Sequence, residues 1–267
     1  MQRYIPAIAT PPYDLDADLA IALDLADAAD EITRARFRAT DLVVATKPDL
    51  TPVSEADRAA ETALRDLLAS ARPHDGVVGE EHGEAEGTSG RRWILDPIDG
   101  TKSYVRGVPV WATLIALESG GDMTVGVVSA PALGRRWWAA HGQGAYADGE
   151  PIRVSEVSAI EDAVVCFTSA PSFDTFGFGD RFRALCTRCW AARGWADFWG
   201  HVLVAEGSAD VAVEPIMNLW DNAALQVIVE EAGGRFTDLA GAARSDGGNA
   251  LTTNGRLHDA VLAVLAG

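Results

Sequence analysis

Cysteine is scarce in this sequence. Only Cys166, Cys186 and Cys189 occur in 267 residues, and so small and odd a number excludes a disulfide-framed scaffold. Cys186 and Cys189 form a lone C-x-x-C pair without the further Cys or His ligands that a structural zinc site needs, so all three read as small core residues. Positive charge is also in deficit. Lys and Arg number 22 against 39 Asp and Glu, a net charge of −17, and no basic run offsets it. Such a surface repels nucleic acid and anionic lipid. An anionic substrate then needs local neutralisation, for which a bound divalent cation is the natural device. No apolar run approaches the ~18 residues of a membrane span. Met1-Gln2-Arg3-Tyr4-Ile5-Pro6 lacks the apolar core of a signal peptide, so a cytoplasmic location is expected. Histidine is thin as well. His74, His82, His141, His201 and His258 are scattered without metal-ligand spacing, and only His82, beside Glu80, is placed for a supporting role. There is no internal repeat and no low-complexity tract.

What is present is an ordinary folded chain, 48% hydrophobic and 23% charged, long enough for one large domain or two modest ones. Leu19, Leu23, Ala26 and Ala29 recur at helical spacing, with acids early and arginines late, and predict an amphipathic helix over 16–39. A loop through Lys47-Pro48-Asp49-Leu50-Thr51-Pro52 follows. Ser54-Glu55-Ala56-Asp57 then opens a second helix with Ala60, Leu64, Leu67 and Leu68 on one face. Apolar runs at Val77-Val78, Trp93-Ile94-Leu95, Val110 to Leu117, Thr124 to Ser129 and Arg135 to Ala140 succeed one another without helices, which predicts antiparallel pairing. Gly142-Gln143-Gly144 and Asp148-Gly149 read as turns. Beyond about 160 the rhythm changes. Strands at 164–167 and 209–213 alternate with helices at 180–190, 198–205 and 219–232, the last ended by Gly233-Gly234, as in an α/β layer. The expected division is 1–155, an N-terminal α+β half, and 156–267, a C-terminal α/β half.

Three acidic clusters carry the chemistry. Gly79-Glu80-Glu81-His82-Gly83-Glu84 follows the Val77-Val78 strand. Asp96-Pro97-Ile98-Asp99-Gly100-Thr101 follows Trp93-Ile94-Leu95. Trp220-Asp221-Asn222 opens the long helix. In the second cluster Asp96 stands where an apolar strand is expected to end, Pro97 stiffens the turn, and Asp99 returns toward the same point. Gly100 allows close backbone approach, and the amides of Gly100 and Thr101 are placed to face an anion. Converging carboxylates repel unless a cation intervenes or one is protonated. Oxygen ligands without soft partners select hard ions such as Mg²⁺, Mn²⁺ or Ca²⁺. Read one at a time, these residues have plainer roles as turn acids, solvated loop or helix caps, and Asp57 can simply complete a capping box with Ser54.

Taken together, Gly79-Glu80-Glu81, Asp96-Pro97-Ile98-Asp99-Gly100-Thr101 and Trp220-Asp221 followed by Glu231-Ala232-Gly233-Gly234 resemble the inositol monophosphatase family of Mg²⁺-dependent phosphatases, in order and in separation. Gly142 to Ser155 resembles the family's turn and strand between its halves, and the likeness covers nearly the whole chain. The resemblance implies a layered αβαβα fold of the α/β (α+β sandwich) kind, with an antiparallel sheet in the N-terminal half, a smaller mixed or parallel sheet in the C-terminal half, and the metal centre between them. It implies Glu80, Asp96, Asp99, Asp221 and the Ile98 carbonyl as ligands of Mg²⁺, with Mn²⁺ as a substitute. Asp57, Thr101 and Glu80 become the catalytic set, with Asp57 and Thr101 orienting or deprotonating the attacking water, and Gly100 and Thr101 hold the phosphate. Lys47 corresponds only loosely to a family lysine, because its spacing differs. A homodimer is implied as well. Within the family, Lys102 to Trp111, Gly194-Trp195-Ala196-Asp197-Phe198-Trp199 and Ala205-Glu206-Gly207 resemble the actinobacterial histidinol-phosphate phosphatases. That branch implies hydrolysis of L-histidinol phosphate in histidine biosynthesis. Histidinol carries an ammonium and an imidazole, so acidic partners near the phosphate are expected. Asp197 and Glu214 are placed to supply them, with Asn218 nearby, and Trp195 and Trp199 read as packing residues. The alternatives are an inositol-1-phosphate or other sugar-phosphate phosphatase, and a binding or regulatory protein with a vestigial centre.

Overall fold

A computed structural model describes residues 14–48 and 50–267. The Met1 to Pro6 segment and Asp49 lie outside the described residues.

Helix α1 (Leu15–Arg36) is capped by Asp14, whose side chain accepts the amides of Asp16 and Ala17. Asp16 and Asp18 occupy its first turn and Arg34 and Arg36 its last, the polarity that the helix dipole favours. It ends three residues earlier than predicted, because Phe37 turns its ring against Tyr104 and Trp111, at centroid distances of 5.4 and 5.3 Å. Its buried stripe is Ala22, Leu25, Ala26, Ala29 and Thr33, while Leu19 and Leu23 flank it half-buried. The segment read as a loop contains a hairpin, β1 (Val44–Thr46) against β2 (Pro52–Ser54). It leads directly into α2 (Glu55–Ala71), where the Ser54 amide donates to Asp57 Oδ2 at 2.8 Å. Ala60, Leu64 and Leu68 face inward, but Leu67 does not: it is 45% exposed.

Among the described residues, eight strands build the larger sheet: β3 (Gly76–Gly79), β4 (Gly83–Ala85), β5 (Arg91–Asp99), β6 (Ala112–Ser119), β7 (Asp122–Ala130), β8 (Arg135–Ala140), β9 (Ala145–Ala147) and β10 (Glu150–Pro151). Their spatial order is β10-β9-β8-β7-β6-β5-β3-β4. The predicted antiparallel pairing holds with one correction. β3 and β5 run parallel, because β4 turns back along the outer edge of β3 before the chain enters β5 on the other side. A short helix α3 (Thr101–Val105) follows β5. The second half supplies β11 (Val164–Cys166), α4 (Ala170–Thr175), α5 (Gly179–Arg188), β12 (Ala191–Arg193), α6 (Phe198–Ala205), β13 (Val211–Glu214), α7 (Leu219–Glu231), β14 (Arg235–Thr237), β15 (Ala250–Thr253) and α8 (His258–Ala266). Its sheet has the order β12-β11-β13-β15-β14. It is mixed: β11 is parallel to β12 and β13, whereas β15 is antiparallel to both neighbours.

The layers follow from which apolar faces meet. Ala22, Leu25, Leu64 and Leu68 pack on one face of the large sheet against Trp93, Leu95, Ile115 and Val127. Leu225, Ile228, Phe198 and Val202 of α7 and α6 cover the other face, against Leu114, Val128 and Trp137, and reach Phe236 and Ala250 of the small sheet. Phe182, Leu185, Val261 and Leu265 close the outer face of the small sheet. The result is the αβαβα sandwich. Among the described residues, no helix is long and apolar enough to cross a membrane.

Candidate active site

Asp96 and Asp99 are three residues apart, and in a regular strand they would face opposite sides of the sheet. The structure resolves this with a bulge. Asp96 pairs with Leu114 and Asp99 with Ala112, so three steps along β5 match two along β6. The strand therefore continues through Pro97 instead of ending at Asp96 as expected, and both carboxylates project to one side. The bulge is pinned internally: the Ile98 amide donates to Asp96 Oδ1 at 3.0 Å and Thr113 Oγ1 donates to the Pro97 carbonyl at 2.8 Å.

The start of α7 brings in Asp221, which accepts the Asn218 amide at 2.7 Å in a capping box. Asp96, Asp99 and Asp221 each offer an oxygen, all within 4.8 Å of one another. Burial, and then repulsion from Glu80, Asp99 and Asp221, hold the Asp96 carboxyl well above its ordinary range. Asp99 is raised by burial and then by Asp197 and Asp221. Burial lifts Asp221 to about 6, even though hydrogen bonds that it accepts from Asn218 and from Asp96 oppose the shift. Three carboxylates forced together without a cationic side chain among them form a donor set suited to a hard divalent cation, so the residues present fit the metal that the family implies.

Glu80 lies on the loop after β3. It is outside the three-oxygen group but close enough to raise Asp96. Its Oε1 stands 2.7 Å from Lys47 Nζ, which also reaches Glu81 Oε1 at 2.5 Å. Lys47, whose correspondence was loose in sequence, thus sits directly on this loop. Asp57 is fully buried at the start of α2. Burial raises its pKa, hydrogen bonds from Ser54 lower it, and Glu80 raises it further. Thr101 Oγ1 lies 3.2 Å from Asp57 Oδ1 and 3.0 Å from the Ile98 carbonyl.

Two adjoining cavities open beside the carboxylates. One, of about 460 Å³, is lined by Lys47, Thr51, Glu80, Gly100, Thr101, Lys102, Asp197, Asn218 and Trp220. The other, of about 200 Å³, is walled by Asp99, Lys102, Thr168, Asp197, Glu214 and Asp221 among others. Gly100 adopts φ 81°, and a Cβ there would lie 3.1 Å from Asp197 Oδ2 and from the Val110 carbonyl, so glycine is needed twice over. Asp197 precedes α6 without capping it by its side chain, and its backbone is strained at φ 55°, ψ −144°. The Asp197 amide donates to Thr168 Oγ1 at 2.8 Å, and that hydroxyl donates to Glu214 Oε1 at 2.7 Å. Burial lifts Glu214 to about 8 and Asp197 to about 6, the latter opposed by Lys102. Trp195 and Trp199 tilt against each other at 6.1 Å and pack into the cores, as expected. His82 places its ring nitrogen 3.1 Å from Thr62 Oγ1 and 3.3 Å from the Arg58 carbonyl, both on α2. Cys166 is buried, while Cys186 and Cys189 are half-buried.

Sequence reading missed Lys102 and Thr168. Lys102, directly after Gly100-Thr101, is a cation on the wall of both cavities, and its adjacency to the acidic cluster was a usable signal. Thr168 is brought in by β11 alone, and nothing near it in the chain marks it.

An αβαβα sandwich with carboxylates gathered between its two sheets defines a class of enzyme fold, and the sequence model of the inositol monophosphatase family matches residues 14–266. The chain belongs to the inositol monophosphatase family. It is similar to the histidinol-phosphatase of Mycobacterium tuberculosis, 54% identical over 250 residues that cover 92% of this chain and 96% of that protein. It is also similar to the histidinol-phosphatase of Streptomyces coelicolor, 53% identical over 257 residues and 93% and 96% of the two chains. Among solved structures, the extragenic suppressor protein SuhB from Bartonella henselae superposes with a TM-score of 0.86 at 30% identity, covering 93% of this chain and 98% of that one. An inositol monophosphatase from Zymomonas mobilis gives 0.83 at 31%, covering 95% and 99%.

Proposed function

We propose that this chain is a Mg²⁺-dependent phosphomonoesterase that hydrolyses L-histidinol phosphate to L-histidinol and phosphate. The observation that carries the substrate assignment is the carboxylate pair Asp197 and Glu214, joined through Thr168 on the wall of the smaller cavity, beside Asp99 and Asp221. An acidic wall suits a substrate bearing an ammonium and an imidazole, whereas a neutral polyol can donate hydroxyl hydrogen bonds to it but forms no ion pair. The 53–54% identity to two histidinol-phosphatases supports the same reading.

Glu80, Asp96, Asp99 and Asp221, with the Ile98 carbonyl, would hold Mg²⁺, with Mn²⁺ as a substitute. When bound, such ions neutralise phosphate charge and lower the pKa of water. Asp57 and Thr101 orient the attacking water and take its proton. Burial makes Asp57 a stronger base than a free aspartate, and Thr101 stands between it and the Ile98 carbonyl. Glu80 supports the same water. The backbone of Gly100 and Thr101, with Lys102, holds the phosphate. Water oxygen bonds to phosphorus as its proton passes to Asp57, the ester P–O bond breaks, and the departing alkoxide takes a proton from a solvent water, the hydroxide left behind being neutralised when Asp57 releases its proton. Asp197 and Glu214 hold the cationic end of the substrate, and Asn218 lines the approach. The larger sheet, within 1–155, brings most of the ligands, α2 brings Asp57, and 156–267 completes the pocket.

The test is the rate of phosphate release from L-histidinol phosphate, inositol 1-phosphate and an aryl phosphate, with Mg²⁺ and with EDTA. The proposal requires EDTA-sensitive turnover with a clear preference for histidinol phosphate. Preference for inositol 1-phosphate would replace the substrate assignment, and no release from any monoester would replace the enzymatic one. A cytoplasmic homodimer completes the proposal, and light scattering at twice 28.2 kDa checks the dimer.

A further inference from the structure

Helix α2 presents Asp57 on its first turn, and Glu61 and Arg65 follow at successive i+4 positions on the same side. Glu61 is a fully buried carboxylate, and a buried charge needs several partners. It finds them on the loop that carries Glu80. Glu61 Oε2 accepts the Glu81 amide at 2.7 Å and Oε1 accepts the His82 amide at 3.1 Å. Arg65 Nε donates to Glu61 Oε1 at 2.8 Å, and a terminal nitrogen of Arg65 donates to the Gly83 carbonyl. On the other side of Glu80, a Cβ built on Gly79 would lie 2.0 Å from Glu61 Oε1 and 2.3 Å from its Cδ. The glycine there is required by the Glu61 carboxylate lying against the backbone. The Glu80 amide itself donates to the Leu95 carbonyl at 3.2 Å, one residue before Asp96. The residues on both sides of Glu80 are therefore held by one side chain, from the same helix that supplies Asp57.

We propose that Glu61, oriented by Arg65, is a positioning residue that fixes Glu80 relative to Asp96 and so sets the affinity of the centre for divalent cations. This rests on the reading of Glu80 as a ligand given above. A carboxylate with an anchored backbone loses little freedom on taking up an ion. If the anchor is removed, part of the binding free energy goes to ordering the loop. Outer partners of this kind typically change metal affinity by about 10–100-fold.

The experiment uses the full chain and Mg²⁺ alone, with binding followed by calorimetry and by the Mg²⁺-dependent rise in melting temperature. Glu61→Gln keeps the shape but sets an NH₂ group against one of the two loop amides. Its apparent Mg²⁺ affinity is expected to fall about 10–100-fold, with kcat at saturating Mg²⁺ changing far less than the Mg²⁺ requirement. Gly79→Ala is expected to weaken Mg²⁺ binding in the same range, and to add little to Glu61→Ala, because the methyl and the carboxylate compete for one space. If Glu61→Gln does not fold, Arg65→Gln and Gly79→Ala carry the same expectation. Folded variants that bind Mg²⁺ like the parent overturn the proposal, as does a uniform loss of kcat at unchanged Mg²⁺ affinity. Glu80→Gln separates the two levels. If it leaves Mg²⁺ binding unchanged, the ligand reading itself fails; if it weakens binding while the Glu61 and Gly79 variants do not, only the positioning role falls.

Discussion

Asp99 Oδ2 accepts the amide hydrogen of Phe198 at 2.7 Å, tying the end of β5 to the first residue of α6. An orphan donor at a helix start is thereby satisfied by a carboxylate from the other half of the chain, with the charge placed where the helix dipole favours it. Asp99 thus holds α6 in place as well as contributing to the carboxylate cluster, and substitution can separate the two roles. Asp99→Asn retains an oxygen acceptor and relieves the repulsion from Asp197 and Asp221, so the melting temperature in EDTA should stay at or above that of the parent while turnover with Mg²⁺ falls by orders of magnitude. Asp99→Ala should lose turnover equally and also lose the cap, a cost of about 0.5–2 kcal/mol. Equal melting temperatures for the two variants would remove the capping role.

Asp96 makes the opposite case. It is 1% exposed and faces Glu80, Asp99 and Asp221, so in the absence of a cation its charge destabilises the fold. Asp96→Asn keeps the volume and can donate to Asp221. The variant should therefore melt higher than the parent in EDTA, by roughly 2–4 °C for each kcal/mol of repulsion relieved, and should show almost no gain on adding Mg²⁺. Activity should fall by orders of magnitude. A variant that melts lower in EDTA, or that turns over near the parent rate, would count against the cluster.

Local chemistry explains which of these features were legible in sequence. The Ser54 and Asp57 capping box, the turn glycines and the 198–205 helix were readable because short-range hydrogen bonds and apolar periodicity decide them. The alternation beyond 160 likewise announced the second layer. The parallel partnership of β3 with β5 was not readable, since it depends on where β4 is inserted. The bulge between Asp96 and Asp99 was hidden for the same reason: Pro97 suggests that a strand stops, and only pairing with Ala112 shows that it resumes. In the candidate site, clustered acids stood out in the chain, whereas Thr168 and Glu61 act through contacts to segments 46 and 20 residues away. Leu67 was misplaced because helical spacing fixes a face only to within about one residue, and the covering layer decides which edge is wetted.

The buried carboxylates also determine how stability varies with pH. Asp221 and Asp197 are raised to about 6 from 3.8, and Glu214 to about 8 from 4.5. In the metal-free protein the folded state therefore binds more protons than the unfolded chain between those limits. Stability falls as pH rises wherever the unfolded state holds fewer protons. The contribution is complete below about 4 and lost progressively as pH climbs through about 6 to about 8. Melting temperature in EDTA should decline across that window, and the stabilisation gained on adding Mg²⁺ should grow, since the ion replaces the protons. Thermal melts at fixed ionic strength, with and without Mg²⁺, test this. A metal-free melting temperature that rises from pH 5 to pH 8 would contradict the sign.

Thr168 joins the backbone of Asp197 to the side chain of Glu214 through one oxygen. Thr168→Val removes the oxygen at nearly constant volume and leaves both partners to reorient. With Glu214 lifted to about 8, this hydrogen bond runs to a largely neutral carboxyl near pH 7, and its loss is worth about 0.5–1.5 kcal/mol. KM for histidinol phosphate should accordingly rise by roughly 2- to 10-fold, with kcat on an aryl phosphate nearly unchanged. Thr168→Ser, which restores the oxygen, should recover most of the loss. Equal damage on both substrates would assign Thr168 to the fold alone.

Asp197 combines a strained backbone with a place on the walls of both cavities. Its backbone at φ 55°, ψ −144° is a conformation that costs a non-glycine residue of order 1–3 kcal/mol, and its carboxylate adds to the repulsion felt by Asp99. Glycine accepts that backbone without strain, at an entropic cost of roughly 0.5–1 kcal/mol. The balance favours the variant, so Asp197→Gly should melt at or above the parent temperature in EDTA. It should lose selectivity at the same time. The kcat/KM for histidinol phosphate should fall at least about tenfold, while an aryl phosphate, which offers no cation to the pocket, should be hydrolysed at close to the parent rate. Asp197→Asn keeps the side-chain volume and most of the strain but loses the charge, so it should show the same selectivity loss and only the part of the stabilisation that comes from relieving Asp99. If both variants hydrolyse histidinol phosphate as well as the parent, the cationic end of the substrate is not recognised at Asp197, and the strained backbone serves only to turn the chain into α6.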